Sequence, residues 1–154
     1  GRPTYSGRLA KAGSEQGDRQ PDFLAIYLWA HFLVNNLSGD EHLIFDGTPR
    51  SLIEAQALDT ALIFYHQPKP TVIFLDVSTE CAQGRLASRG RHDDDKDGIE
   101  KRLAWYERDV APVIDYYRGH QNYQFTRIDG EQSVAEIHEE IKKCCLEIKE
   151  SGGN

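Results

Sequence analysis

Leu43-Ile44-Phe45-Asp46-Gly47-Thr48-Pro49-Arg50 is the stretch on which the fold turns. Its three apolar residues predict a short buried strand over residues 43–46, and Asp-Gly ends that strand sharply. Asp46 then stands at the strand's C-terminal mouth, where open α/β sheets place their ligands. Just beyond it, Arg50 offers a planar, permanently charged guanidinium suited to gripping phosphate with two parallel hydrogen bonds. An acid that can hold a magnesium shell, beside a base that can hold a phosphate, suggests phosphoryl chemistry. The plainer alternative is a strand, a turn and two surface charges.

A chain of 154 residues, 39% hydrophobic and 28% charged, fits one soluble globular domain with a sizeable core. Its net charge of -7 argues against broad binding to nucleic acid or to anionic membranes. No run approaches the roughly 18 apolar residues of a spanning helix, and no signal-peptide pattern opens the chain. Cys81, Cys144 and Cys145 are odd in number and lack paired spacing, so neither a disulfide framework nor a zinc site is expected. Cys144 and Cys145 continue an apolar helical face with Val134, Ile137, Ile141 and Ile148, which predicts core packing. A reducing, cytoplasmic setting follows.

Outward from the opening stretch, helix and strand alternate. A short helix is predicted around Leu9 to Glu15, then a turn at Gly17–Pro21 with Pro21 opening the next helix. Phe23, Ile26, Tyr27, Phe32, Leu33 and Leu37 recur at helical spacing, predicting a helix from Asp22 to Leu37 buried on most of its circumference. His31, inside that pattern, reads as a structural histidine. After Arg50, Ser51 is a natural N-cap with Glu54 at capping-box spacing, and the helix runs to about His66. Thr71–Val77 is a continuous β-branched and aromatic run, as in a central parallel strand covered on both faces. Ser78 caps a helix to about Ser88, and a charged stretch follows from Gly90 to Gly98. Helix resumes from Ile99 to Tyr117 with a bend near Pro112; Tyr123–Ile128 is a strand, and Ser133 caps a last helix to about Lys149. The alternation predicts an α/β layered domain with a parallel sheet.

A second chemical region is Gly84-Arg85-Leu86-Ala87-Ser88-Arg89-Gly90-Arg91-His92-Asp93-Asp94. Arg85 and Arg89 share a helix face. Arg91 follows in the loop and Arg102 on the next helix. Such like charges are held together by a polyphosphate or by the neighbouring acids, and both readings stand. Asp93, Asp95, Asp97 and Gly98 copy the start of a calcium-binding EF-hand loop, but Ala104 stands where that loop needs its bidentate glutamate. A calcium site is rejected.

Taken together, these segments resemble the adenylate kinase (nucleoside monophosphate kinase) family, short-lid type. The resemblance is carried by Gly17-Asp-Arg-Gln-Pro-Asp22, Asp46-Gly-Thr-Pro-Arg50 and Arg85-Leu-Ala-Ser-Arg-Gly-Arg-His-Asp-Asp94. It continues through Lys101-Arg102-Leu103 with Tyr106, Pro112-Val-Ile-Asp-Tyr-Tyr117 and Ile128-Asp-Gly130, over nearly the whole chain. It implies a three-layer P-loop-kinase-like fold, a parallel sheet flanked by helices, in one domain over residues 1–154. Residues 1–37 would hold part of the arm that closes over the monophosphate and the helix after it, and residues 90–97 a short lid. The implied activity is reversible transfer of the γ-phosphoryl of ATP to a nucleoside monophosphate, with Mg2+. Arg50 would grip the acceptor phosphate, Gly47 would contact its base through the backbone, and Asp46 would orient magnesium-bound water. Arg85 would lie along ATP, while Arg89, Arg91 and Arg102 would surround the transferring group. Gln20 and Glu54 complete the implied substrate contacts, and the Thr48-Pro49 peptide is expected to be cis. Such a transfer needs positioning and dispersed positive charge more than covalent help.

Two departures qualify the resemblance. The family's Gly-rich phosphate loop, GxxxxGK[ST], does not occur in these residues. The expectation is a chain shortened at its N-terminus, or completed by another polypeptide, in which an unfilled gap separates the strands at 43–46 and 71–77, with weak or absent kinase activity alone. The second departure is Glu54, where the family usually has a glutamine that reads adenine. A carboxylate only accepts hydrogen bonds, which suits the N–H donors of guanine better. AMP is the favoured acceptor, with GMP or another monophosphate open, and a non-catalytic nucleotide-binding module is the alternative class.

Overall fold

The computed structural model describes residues 4–89 and 95–151, with side chains described as far as residue 146. Thr4 accepts the Gly7 N–H at 3.0 Å and opens helix α1, Tyr5–Glu15, several residues before the predicted start. Helix α2 spans Asp22–Asn36 directly after Pro21, and helix α3, Leu52–Phe64, follows the cap at Ser51. Strand β1 is Thr71–Asp76, and helix α4 is Thr79–Arg89, whose Cys81 N–H donates to Ser78 Oγ at 3.2 Å. Helix α5, Lys96–Trp105, begins earlier than Ile99 because Asp95 caps it, accepting the Gly98 N–H at 2.8 Å. It runs through a π-helical turn at Tyr106–Val110 into helix α6, Ala111–Gly119. The bend predicted near Pro112 is that turn: a proline lacks the N–H and crowds the preceding turn, which the wider winding relieves. Strand β2, Gln124–Asp129, and helix α7, Val134–Ser151, complete the chain. Ser133 and Glu136 form a full capping box at the start of α7, the serine Oγ accepting the Glu136 N–H and the carboxylate accepting the Ser133 N–H at 2.9 Å.

β1 and β2 pair in parallel from Thr71↔Gln124 to Asp76↔Asp129, which gives the α/β class expected. The core lies where α3 and α6 meet this sheet: Ala55, Val113 and Tyr117 pack with Val72, Tyr123 and Phe125. Leu58, Leu62 and Ile128 are buried nearby. Asp59 of α3 accepts hydrogen bonds from the hydroxyls of Tyr116 and Tyr123 and faces His120 Nε2 at 3.8 Å, pinning α3 to α6 and to the start of β2.

Several expectations are corrected. Residues 43–46 are not a strand: they run without a ladder partner, and Ile44 is 91% exposed. An apolar triplet becomes a strand only when a neighbour completes its backbone hydrogen bonds, and the sheet among the described residues holds β1 and β2 alone. For the same reason β1 is not central, and Leu75 is exposed. Helix α2 buries Leu33, whereas Phe23, Tyr27, Leu28, Phe32 and Val34 are exposed. Its periodicity marks what a second packing surface would cover, but among the described residues only α3 packs against it closely. His31 is exposed as well, stacked on Tyr27 and within 3.2 Å of Asn35 Nδ2. On α7, Val134 and Cys145 are exposed while Ile137, Ile141 and Cys144 are half-buried, so that apolar stripe is only partly covered; the Ile148 side chain lies outside the described residues.

Candidate functional site

The loop after α2 carries the chemistry singled out above. Leu43 and Phe45 turn inward and Ile44 outward. Together with Trp29, Phe32 and Leu33 of α2 they line a cleft that Asp46 and Thr48 also border. Gly47 has φ +70°, and the Thr48-Pro49 peptide is cis, as expected. Beyond this turn Arg50 Nε donates back to the Gly47 carbonyl. A Cβ on residue 47 would lie 2.8 Å from Arg50 Nη2, so both the left-handed backbone and the close approach call for glycine. Asp46 and the Arg50 side chain are exposed.

Beneath the loop sits Glu54, 2% exposed. Ser51 Oγ accepts the Glu54 N–H at 3.2 Å, giving α3 its N-cap, and donates to Asp22 Oδ1 at 2.9 Å, tying α3 to α2. The Glu54 carboxylate does not close the capping box onto the Ser51 N–H. Its Oε2 accepts the Arg50 N–H at 3.1 Å and the Thr48 hydroxyl at 2.8 Å, while Oε1 accepts from Arg19 Nη1 at 3.2 Å. A charge removed from water must be paired and hydrogen-bonded, and Glu54 is both. At 2% exposure the Glu54 carboxylate presents no open face to a base, so the contact implied for position 54 is not formed in this arrangement. Arg19 also reaches Asp22 at 2.8 Å and Asp109, in the π-helical turn, at 3.3 Å. Arg108 donates two bonds of 2.8 Å to Asp109; chiefly through them, and secondarily through Arg19, the Asp109 carboxyl is held below its ordinary range.

The remaining residues lie elsewhere. Gln20 donates to the Ala10 carbonyl at 3.0 Å, closing the turn after α1. Beside it, Lys101 of α5 pairs with Asp18 and donates to the Gln16 carbonyl at 3.1 Å. Arg85 and Arg89 are exposed on α4, and Arg102 is half-buried on α5, which packs against α4. Arg91 and most of the expected lid, residues 90–97, fall outside the described residues. At the C-terminal end of the sheet, Asp76 pairs with Arg127, and Glu131 accepts the Ser78 N–H at 2.8 Å. A hydrogen bond from the Ser78 side chain and then the one from its N–H hold the Glu131 carboxyl low, helped by the charge of Arg85. The fold thus joins Asp46, Gly47, Arg50 and Glu54 in one loop and its supporting helix, with Arg85, Arg89 and Arg102 on the α4–α5 pair.

Thr48, Arg19 and Asp109 escaped the sequence reading. Arg19 appeared only inside a turn, and nothing in the spacing of Asp22, Glu54 and Asp109 marks them as partners of one guanidinium.

A family model described as adenylate kinase matches residues 2–122. The chain belongs to the adenylate kinase family. A curated relative from Prochlorococcus marinus (strain MIT 9515), named adenylate kinase, is 33% identical over 141 residues, covering 91% of this chain and 74% of that protein. The adenylate kinase of Phocaeicola vulgatus is 37% identical over 125 residues, 79% of this chain and 66% of the relative. That of Xanthomonas oryzae pv. oryzae is 40% identical over 104 residues, covering 65% and 54%. The chain therefore spans between about half and three-quarters of the length of these relatives. Kinship with this family supports a nucleotide-binding phosphotransferase. Among the described residues no helix is long and apolar enough to cross a membrane.

Proposed function

We propose that the Asp46–Arg50 loop binds the phosphate of a nucleoside monophosphate, with AMP the favoured acceptor, in reversible phosphoryl transfer from ATP. The observation that carries this reading is the folded loop itself. Gly47 at positive φ, the Arg50 bond to its carbonyl and the Glu54 bond to the Arg50 N–H hold an exposed guanidinium next to the cleft-lining loop. A phosphate entering there meets a cation already folded back against the loop, which reduces the ordering needed on binding. Gly47 meets the acceptor base through its backbone, Gln20 completes the acceptor side, and Glu54, buried beneath the loop, supports it through Thr48 and Arg50. Residues 1–37 form part of the closing arm, and residues 90–97 the lid. On the donor side, Arg85 lies along ATP, and Arg89, Arg91 and Arg102 disperse the charge of the group in transfer.

Magnesium fits the donor set. No group of three or more His, Cys, Asp or Glu side chains among the described residues is arranged to hold a metal by itself. This ion is ordinarily bound by one or two carboxylates together with water and substrate phosphates. Asp46, exposed at the loop, is the carboxylate that would hold it through water. Bound, it supplies charge neutralisation to the phosphates.

The sequence of these residues contains no GxxxxGK[ST] loop, so transfer by this polypeptide alone is expected to be weak or absent. The exposed edge of β1 suits a further strand, from residues outside this stretch or from another chain. The missing pattern also favours a second reading, a nucleotide-binding module without catalysis. Calorimetric titration with AMP, GMP and inorganic phosphate, on the wild type and on Arg50→Ala, tests the acceptor site. AMP is expected to bind best, and Arg50→Ala to weaken it about 10- to 100-fold, the scale of a charged hydrogen-bonded pair. Equal binding by the two proteins overturns the site; tighter GMP binding overturns the base preference. ATP–AMP turnover matching that of a complete relative overturns the expectation of weak activity.

A further inference from the structure

We infer that Arg19 is a positioning residue for the acceptor loop: through Glu54 it sets where Arg50 stands, without touching the acceptor itself. The inference rests on the proposed role of Arg50.

Arg19 is largely buried, with 17% of its side chain exposed, and meets carboxylates from three elements. Nη2 lies 2.8 Å from Asp22 at the start of α2, Nη1 3.2 Å from Glu54 in the first turn of α3, and Nε 3.3 Å from Asp109 in the π-helical turn. A planar fork can bridge three acids at once in this way, and an ammonium cannot. Glu54 passes the restraint on. Its far oxygen holds the Thr48 hydroxyl and the Arg50 N–H, on either side of the cis peptide. Arg50 then folds back on the Gly47 carbonyl. The guanidinium of Arg50 is thus placed by a chain of bonds running Asp109–Arg19–Glu54–Arg50.

Electrostatics makes Arg19 the vulnerable member of that chain. Arg19 and Arg108 face Asp22, Glu54 and Asp109, an acidic balance even with both arginines present. Removing Arg19 leaves the buried Glu54 carboxylate without its cation. A charge so placed is left unpaired out of water and draws water in, which weakens its hold on the Arg50 N–H. If that loss is what moves the loop, making residue 54 neutral as well will repair much of the damage, because a glutamine oxygen still accepts from Thr48 and Arg50.

The test compares wild type with Arg19→Met, Arg19→Lys and the double variant Arg19→Met/Glu54→Gln. Two readouts are needed: amide hydrogen exchange across residues 46–54, and AMP affinity by calorimetry. Arg19→Met is expected to speed exchange in this loop about tenfold, with β1 and β2 unchanged, and to weaken AMP binding at least fivefold. Arg19→Lys recovers little, whereas the double variant recovers most of both. Unchanged loop exchange in Arg19→Met, or a double variant as impaired as the single one, overturns the inference. Exchange that rises equally through β1 and β2 marks Arg19 as a general structural residue and also overturns it. Should the wild type fail to bind AMP, the acceptor reading falls, while the exchange measurements still decide whether Arg19 positions Arg50. Should Arg19→Met not fold, the double variant and Arg19→Lys carry the same comparison.

Discussion

Replacing Gly47 with alanine separates the loop's backbone geometry from its charge. Residue 47 sits at φ +70°, where an L-residue with a Cβ costs about 1–2 kcal/mol, offset by roughly 0.4–1 kcal/mol of lost unfolded-state entropy. The new Cβ would lie 2.8 Å from Arg50 Nη2, well inside ordinary contact. Because that atom ends a flexible, exposed side chain, it is the guanidinium that moves. Its bond to the Gly47 carbonyl, worth about 0.5–1.5 kcal/mol, is then lost. The stability loss comes to roughly 0.5–3 kcal/mol, with a Tm lower by about 2–4 °C per kcal/mol for a chain of this size. Acceptor affinity should suffer more, by about tenfold or greater, since a displaced arginine forfeits a charge-assisted bond. Urea unfolding with an unchanged slope and calorimetric titration with AMP measure the two effects. Gly47→Asn sharpens the comparison: asparagine tolerates the left-handed region, so it keeps the clash while shedding much of the strain. A Tm within about 1 °C of wild type together with unaltered AMP affinity would refute the folded-back geometry.

Further outcomes follow from the supports around the loop. Ser51→Ala removes the N-cap of α3 and the bond to Asp22, and is expected to cost about 1–3 kcal/mol by urea unfolding; a loss under about 0.5 kcal/mol would show that neither bond matters. Asp59→Asn leaves one acceptor oxygen for the two tyrosine hydroxyls, and should lower stability by about 1–3 kcal/mol; an unchanged melting curve contradicts the pinning of α3 to α6. The same cluster predicts alkaline sensitivity. Tyr116 is pushed up to about 12, first by its hydrogen bond to Asp59 and then by burial, and Tyr123 is raised as well, by burial and by Asp59. A raised folded-state pKa stabilises fully below the unfolded value near 10 and is lost as pH climbs toward 12, so stability should fall across that window. Guanidinium unfolding that is flat over the same pH range contradicts it.

Features that depend on a few consecutive residues were legible in the sequence. Ser51 and Ser133 cap their helices, Asp-Gly turns the chain at residue 47 and Pro112 marks the break in the long helix. In each case the interaction closes within about a turn of helix, so neighbours in sequence are the partners in space. The alternation of strand and helix fixed the α/β class on the same footing, and the motifs marked Asp46, Gly47 and Arg50 as one site.

Only the tertiary structure decided which apolar faces have something to pack against. Residues 43–46 carry a strand's composition without a strand's partner, and α2 carries a buried helix's periodicity with most of its apolar side chains exposed. Periodicity reports a side chain's direction, whereas burial depends on a second surface that it does not encode. The charge network is undetermined by sequence for a related reason. Arg19, Glu54 and Asp109 meet because α2, α3 and the π-helical turn converge, and Asp59 meets Tyr116 and Tyr123 because α3 crosses α6 at the edge of the sheet. Coulombic and hydrogen-bond energies depend on separation in space, and for residues far apart in the chain the packing sets that separation.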